Sequence, residues 1–447
     1  ANECYTKEVI FFFEQVTGHL IPDMRFALKH GVKEMLKKIE GKEGNGYKAF
    51  AIALESAIIL ANRYADLAAE QAKTASPERK EQLEIMEKTL RKVPENGAEN
   101  LYEAIQAFIL MWQIMCLEQT PNPFAFSVGN ADRIFEPYRN GADRETVAAL
   151  LKHFLVFFNV ADRSWAISQN IIVSGRDICG NDLTNESTYA LMDAYYDMNL
   201  PQPILSVKLH KNTPAKLYEE MGRFMFTPGV LTPSFFNDDS LFEVLASKGV
   251  DSDDLADISI AGCQEPLIMG KDNGNTTNSW LNLPKILEMT LTGGVSAITG
   301  EKLVDVEACK LENIREEFWK NVEKFVAAMG EAANGASAAL STQRVPFLSC
   351  LMGGLENGID ARDINRQGTK YNGSGCLIHG VSVIADSFSA IDKLLAERPE
   401  DKDKLVDALK ADFKGYEDLH EFLLSADKFG NNIETVDNEA GEVASKV

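Results

Sequence analysis

Apolar residues recur at three- and four-residue spacing, with charges between them, along much of this chain. The pattern predicts helices over 22–39 and 47–73. Ser76-Pro77 with Glu78 close behind marks the start of a third, running to about 91, because proline suits a first turn whose N–H groups lack partners anyway. A fourth, over 100–118, is more apolar and so more buried, and Thr120-Pro121-Asn122-Pro123 stops it. Short β-type runs follow at 124–128, 170–174 and 204–209, with weaker ones at 231–236 and 258–260. Helix-compatible stretches such as 191–198 and 214–226 lie between them. Such alternation predicts an α/β architecture. Long helices return at 283–291, 304–340 and 384–395, then at 402–413 and 416–425. Asn273-Gly274-Asn275 reads as a turn.

Composition narrows the function classes. The 447 residues carry a net charge of −22, which repels nucleic acid and anionic lipid, so neither is an expected partner. No uncharged apolar run reaches the length of a membrane span, and no secretory signal is seen, so the expected location is the cytoplasm. Seven widely spaced cysteines without a Cys-x-x-Cys pair suggest free thiols in a reducing compartment, and His and carboxylates show no metal-ligand spacing.

One segment carries chemistry. Gly262 follows the run at 258–260 and frees the backbone for a tight tip, which would carry Cys263. Glu265 stands two residues on, before Pro266. A carboxylate beside a thiol disfavours the thiolate, so the pair does not suit an ordinary cysteine nucleophile. It suits a neutral thiol that yields a hydrogen atom, with the carboxyl as acid/base. Residue chemistry alone leaves a small core cysteine and a helix-capping glutamate as an equal or better account of the same residues.

The stretch Gly262-Cys263-Gln264-Glu265-Pro266 resembles the Gly-Cys-Val-Glu-Pro loop of glycyl radical enzymes, the group of pyruvate formate-lyase, glycerol dehydratase, choline trimethylamine-lyase and the arylacetate decarboxylases. Further blocks agree in the family's order: Gly18-His19-Leu20-Ile21-Pro22-Asp23, Arg91-Lys92-Val93-Pro94-Glu95-Asn96, Gly180-Asn181-Asp182-Leu183-Thr184-Asn185-Glu186, Leu200-Pro201-Gln202-Pro203, Pro233-Ser234-Phe235-Phe236-Asn237-Asp238, Asn282-Leu283-Pro284-Lys285 and Lys370-Tyr371-Asn372. The resemblance spans the chain. It implies part of a ten-stranded α/β barrel wrapped by helices. The whole of 1–447 would be one pyruvate formate-lyase-like domain, incomplete at both ends, with helical parts at 1–118 and 291–447 and a barrel core at about 120–290.

The resemblance also implies a mechanism. A separate iron–sulfur, S-adenosylmethionine-dependent activase installs a glycyl radical, and this chain binds no cofactor of its own. The radical takes a hydrogen atom from Cys263, the thiyl takes one from a small-molecule substrate, and Glu265 acts as acid/base while a C–O, C–N or C–S bond breaks. The family assembles as a homodimer. Its C-terminal Arg-Val-x-Gly-Tyr/Phe motif does not occur in this sequence, so the chain is expected to be an internal fragment that needs a glycyl radical segment from elsewhere.

Within the family, Gln264 after Cys263 argues against pyruvate formate-lyase proper, which has two adjacent cysteines. Thr277 stands where diol dehydratases have Asp, and Phe124-Ala125 where they have His-Ser. Loss of two hydroxyl-binding positions makes a polyol less apt. Phe124, Phe126 and Trp165 are candidate substrate contacts that would favour an aromatic substrate, though each also suits a core. His19 and Gln169 are candidates by their position relative to the family pocket. The readings kept open are therefore a dehydratase or other eliminating lyase, a radical arylacetate decarboxylase, and a formate C-acetyltransferase-like or catalytically silent fragment. Asn282 and Lys285 are expected to brace the loop.

Overall fold

A computed structural model describes residues 8–11, 18–119, 125–160, 168–230, 232–366 and 368–447; at positions 11, 119, 160, 274–278, 373 and 374 it is confined to the backbone. Its strands are β1 (Ile10–Phe11), β2 (Gly129–Asn130), β3 (Asn170–Ser174), β4 (Ile204–Leu209), β5 (Ser234–Asn237), β6 (Ile258–Ala261), β7 (Glu265–Ile268), β8 (Asp272–Asn282) and β9 (Tyr371–His379). Contacts divide the chain into two compact units. The larger comprises Gln15–Asn275 and Ser337–Gly373; the smaller comprises Ala1–Glu14, Thr276–Ala336 and Ser374–Val447.

In the larger unit β2, β3, β4 and β5 form a parallel sheet in that order. The helix Glu186–Met198 connects β3 to β4, and Ala215–Met225 connects β4 to β5, as a parallel sheet requires. The first of these is started by a reciprocal cap. Asn185 accepts from Thr188 N, while the Thr188 hydroxyl accepts from Asn185 N. Every residue of β3 is buried, but its two faces differ in chemistry. Ile171, Val173, Leu205 and Val207 join the apolar core with Phe108, Phe135, Phe154 and Phe158, whose rings meet edge-on. The other face carries Asn170, Ser206 and Lys208, and Asn170 Nδ2 donates to Ser206 Oγ at 2.9 Å. Against that polar face lies the hairpin β6–β7, whose two strands, among the described residues, pair antiparallel only with each other.

The smaller unit packs a separate core. Phe318 on the helix Ile314–Leu340 meets Phe388 on Val381–Glu397. β1 runs antiparallel to β8, Ile10 opposite Leu281.

Several expected elements shift. The helix expected over 22–39 breaks at Gly31, whose φ is +84° and where a Cβ would come 2.3 Å from the Glu95 carbonyl oxygen. The backbone N–H groups of Val32 and Lys33 donate instead to Pro94 and Glu95. The helix expected from 304 begins only at Ile314, because the Leu303 and Cys309 N–H groups donate to the carbonyls of Gly294 and Thr290. The helix expected over 402–413 is confined to Leu405–Lys410 after a 3-10 turn at Pro399–Lys404. Around 124–128, Phe126 makes a single bridge to Leu20 and the strand lies at β2; Phe124 is outside the described residues. Asn273-Gly274-Asn275 belongs to β8 instead of a turn, and Asn273 Nδ2 donates to the Ala361 carbonyl at 2.7 Å. The helix Glu434–Lys446 had no expectation. No helix among the described residues is long and apolar enough to cross a membrane.

Candidate active site

Cys263 stands at the tip of the β6–β7 hairpin, in a turn made by Gly262, Cys263 and Gln264. Gly262 has φ +58°, the left-handed region, and a Cβ there would lie 2.7 Å from His19 Cδ2 and 2.8 Å from Glu265 Oε2. Only glycine permits this turn with both side chains so close. Glu265 opens β7 opposite Ala261 and is buried; its Oε2 accepts from Gln264 N at 3.0 Å. His19 is buried with Nε2 3.8 Å from Glu265 Oε1. The structure thus brings His19, Cys263 and Glu265 together.

The electrostatics follow from burial. Partial burial and then the Glu265 carboxyl push the Cys263 thiol up, opposed by a hydrogen bond from Ser168. Burial raises the Glu265 carboxyl, with backbone hydrogen bonds pulling the other way. Burial lowers His19 to about 4, so its imidazole is neutral at neutral pH. The site is therefore a protonated thiol beside a carboxyl that takes a proton more readily than an exposed one. Cys263 itself is exposed on this chain, in contrast to the enclosed thiol a radical site calls for.

Gln169 is wholly buried, and its Nε2 and Oε1 find no hydrogen-bond partner among the described residues. Its neighbours touch the loop: Ser168 the thiol, Asn170 the Gly262 carbonyl. Phe126 lies in the apolar core, its carbonyl accepting from Trp112 Nε1 at 3.3 Å. Trp165 and Phe124 fall outside the described residues, and only the backbone of Thr277, within β8, is described. Asn282 caps the helix Leu283–Thr292 by accepting from Lys285 N, and Lys285 Nζ bonds Glu288, Glu8 and Ser296; these contacts brace the smaller unit. Among the described residues no group of three or more His, Cys, Asp or Glu is placed to hold a metal ion. The described cysteines are free thiols.

Sequence reasoning missed Ser127, Ser168, Asn170 and Lys208. Ser127 Oγ accepts from Gly262 N, Asn170 Nδ2 donates to the Gly262 carbonyl, and Lys208 Nζ donates to the Ile258 carbonyl. The available signal was a polar or charged residue inside the apolar runs at 170–174 and 204–209.

The sequence profile of the family "Pyruvate formate lyase-like" matches residues 2–447. The chain is 27% identical over 427 residues to an isethionate sulfite-lyase of Oleidesulfovibrio alaskensis, covering 89% of this chain and 51% of that protein. Its fold superposes on the glycerol-bound form of the B12-independent glycerol dehydratase from Clostridium butyricum with a TM-score of 0.92 and 27% identity, covering 100% of this chain and 61% of that one. For a glycyl radical enzyme from Archaeoglobus fulgidus the values are 0.87 and 26%, covering 98% and 60%. The chain spans about half the length of the curated relatives it matches. The α/β fold, the hairpin-borne cysteine and the match over nearly every residue lead to one conclusion: this chain belongs to the pyruvate formate lyase-like family of glycyl radical enzymes.

Proposed function

We propose that the complete protein is a glycyl radical lyase or dehydratase whose thiyl radical forms on Cys263. The observation that carries this reading is the hairpin tip itself, where the Cys263 thiol is held protonated beside the buried Glu265. A glycyl radical, supplied by a segment outside these residues and installed by a separate S-adenosylmethionine-dependent iron–sulfur activase, takes the hydrogen atom of the thiol. The S–H bond breaks homolytically and leaves the unpaired electron on sulfur.

The thiyl then takes a hydrogen atom from a substrate carbon that bears a hydroxyl. Glu265 removes the hydroxyl proton, and the resulting radical anion expels a leaving group from the next carbon. If water leaves, Glu265 returns its proton to the departing oxygen; if sulfite leaves, it departs as an anion and Glu265 gives its proton to the departing sulfite or to solvent, which restores the carboxylate. The product radical recovers hydrogen from the Cys263 thiol, which can then restore the glycyl radical. A carboxyl raised by burial suits both halves of this exchange. Gln169, whose side-chain donor and acceptor have no partner among the described residues, could receive a polar substrate group. A small hydroxylated substrate, of the size of the glycerol or isethionate named for two relatives, is the reading that their similarity supports. Cover for the exposed thiol would come from the half of the family's length outside this chain.

The test uses the complete protein after anaerobic activation. Glu265→Gln should keep the glycyl doublet in electron paramagnetic resonance and lose turnover of a panel of small hydroxylated substrates. Full turnover in that variant would sink the role of Glu265, and a doublet that never forms in the unsubstituted protein would support a catalytically silent chain.

A further inference from the structure

A two-stranded hairpin leaves each strand one unpaired edge, and inside a protein those N–H and C=O groups need partners. β6 is buried along its whole length and, among the described residues, pairs only with β7. Its outer edge is met by side chains. The Ile258 carbonyl, at the start of β6, accepts from Lys208 Nζ at 2.8 Å and Asn130 Nδ2 at 3.3 Å. At the far end, the Gly262 carbonyl accepts from Asn170 Nδ2 at 3.0 Å, and Gly262 N donates to Ser127 Oγ at 3.2 Å. The approach to β6 is held in the same manner. Arg133 Nη1 donates to the Ala256 carbonyl at 2.8 Å, and Arg25 forms a two-pronged pair with Asp257 at 2.9 and 2.8 Å.

Asn130, Asn170 and Lys208 belong to β2, β3 and β4, and Ser127 to the segment leading into β2; Arg133 lies on the helix Ala131–Phe135 that follows β2, and Arg25 on the helix Arg25–His30. Lys208 is the most costly, because it is wholly buried and sits 4.0 Å from Asp238, which is wholly buried too. Gly175 makes room for it, since a Cβ there would stand 2.6 Å from Lys208 Cε and from Asp238 Oδ2. Burial brings the Lys208 amine down to about 7, and a donor so placed costs stability unless it is hydrogen-bonded, as it is here to the Ile258 carbonyl.

We infer that Lys208 and Asn170 are positioning residues for the thiol: an amine and an amide from neighbouring parallel strands grip the two ends of β6 and so set where the tip bearing Cys263 stands. This rests on the reading of Cys263 as the reacting atom only for its catalytic consequence. The mechanical claim stands apart from it.

Hydrogen exchange in the complete, unactivated protein reads that claim without any turnover. In Lys208→Met, amides over residues 258–268 should exchange at least about tenfold faster, while β3 and the helix Glu186–Met198 keep their protection. Alkylation of Cys263 by iodoacetamide should change with it, and that of the exposed Cys179 should not. Asn170→Ala should act on the same amides. The double variant should add less than the sum of the two, because freeing one end of a strand already releases the other. Unchanged exchange over 258–268, or equal acceleration over the parallel sheet, overturns the inference. If Lys208→Met fails to fold, Asn170→Ala decides by the same two outcomes. In the activated protein the variants should lower kcat with little change in KM. If hairpin exchange responds and kcat does not, the failure belongs to the proposed function and not to the grip on β6.

Discussion

At the scale of single residues, the site is made by what burial does to three ordinary groups. His19 stays neutral because interior placement brings it to about 4 from an ordinary 6.5. Its proton affinity is thus lower folded than unfolded, so the unfolded chain binds the proton first as pH falls. The contribution to stability is whole above pH 6.5 and is lost as pH falls toward 4, and it amounts to about 3 kcal/mol. Urea midpoints at pH 7 and pH 4 should therefore fall further in the unsubstituted protein than in His19→Asn; equal falls would show that His19 does not titrate in this way. Gly262 is the second sensitive position. In Gly262→Ala the methyl group must displace His19 or Glu265 while the backbone holds a left-handed φ of +58°. A loss of about 2 kcal/mol is expected from urea unfolding, together with loss of turnover even where the protein folds.

At the scale of elements, the parallel sheet and its helices act as a frame, and buried polar ties lock its corners. Asp132 is one such tie. Its Oδ2 accepts from Ser174 N at the end of β3 at 2.7 Å and from the Thr188 hydroxyl at 2.6 Å. Asp132→Ala leaves both donors unpaired in a dry interior and should cost about 3 kcal/mol in chemical denaturation. A change under about 0.5 kcal/mol would mean water takes its place. The same logic explains which elements could be read from the chain. β3 and β4 were legible to the residue, because each is a short apolar run bounded by turn residues. The delayed start of the helix Ile314–Leu340 was not legible, because the backbone before it folds back onto the Gly294 and Thr290 carbonyls, and main-chain hydrogen bonds of that kind leave no mark in the pattern of apolar residues.

At the scale of the whole molecule, a net charge of −22 repels itself in the folded state more than in the expanded chain. Raising sodium chloride from about 20 mM to about 200 mM should therefore raise Tm, since the screening length falls below about 10 Å. A lower Tm would show that the surface ion pairs outweigh the net repulsion. The proposed radical chemistry also belongs to this scale. Cys263 is exposed on this chain, so the proposed chemistry requires the complete protein, and not the hairpin alone, to shield it.

The sequence by itself determined the family, the α/β alternation and the pairing of Cys263 with Glu265, because these live in local composition and in short ordered blocks. It also placed the thiol on a tight tip, since Gly262 is the one residue type that turns so sharply at no cost. Only the tertiary structure decided what surrounds that tip. His19, about 240 positions away, comes to Glu265 where Leu20 bridges to Phe126, next to the parallel sheet against which the hairpin lies. Lys208 and Asn170 looked like faults in apolar strands. They became the grip on β6 once the fold set an unpaired strand edge against them, and a backbone group's need for a partner cannot be read until its neighbours are known.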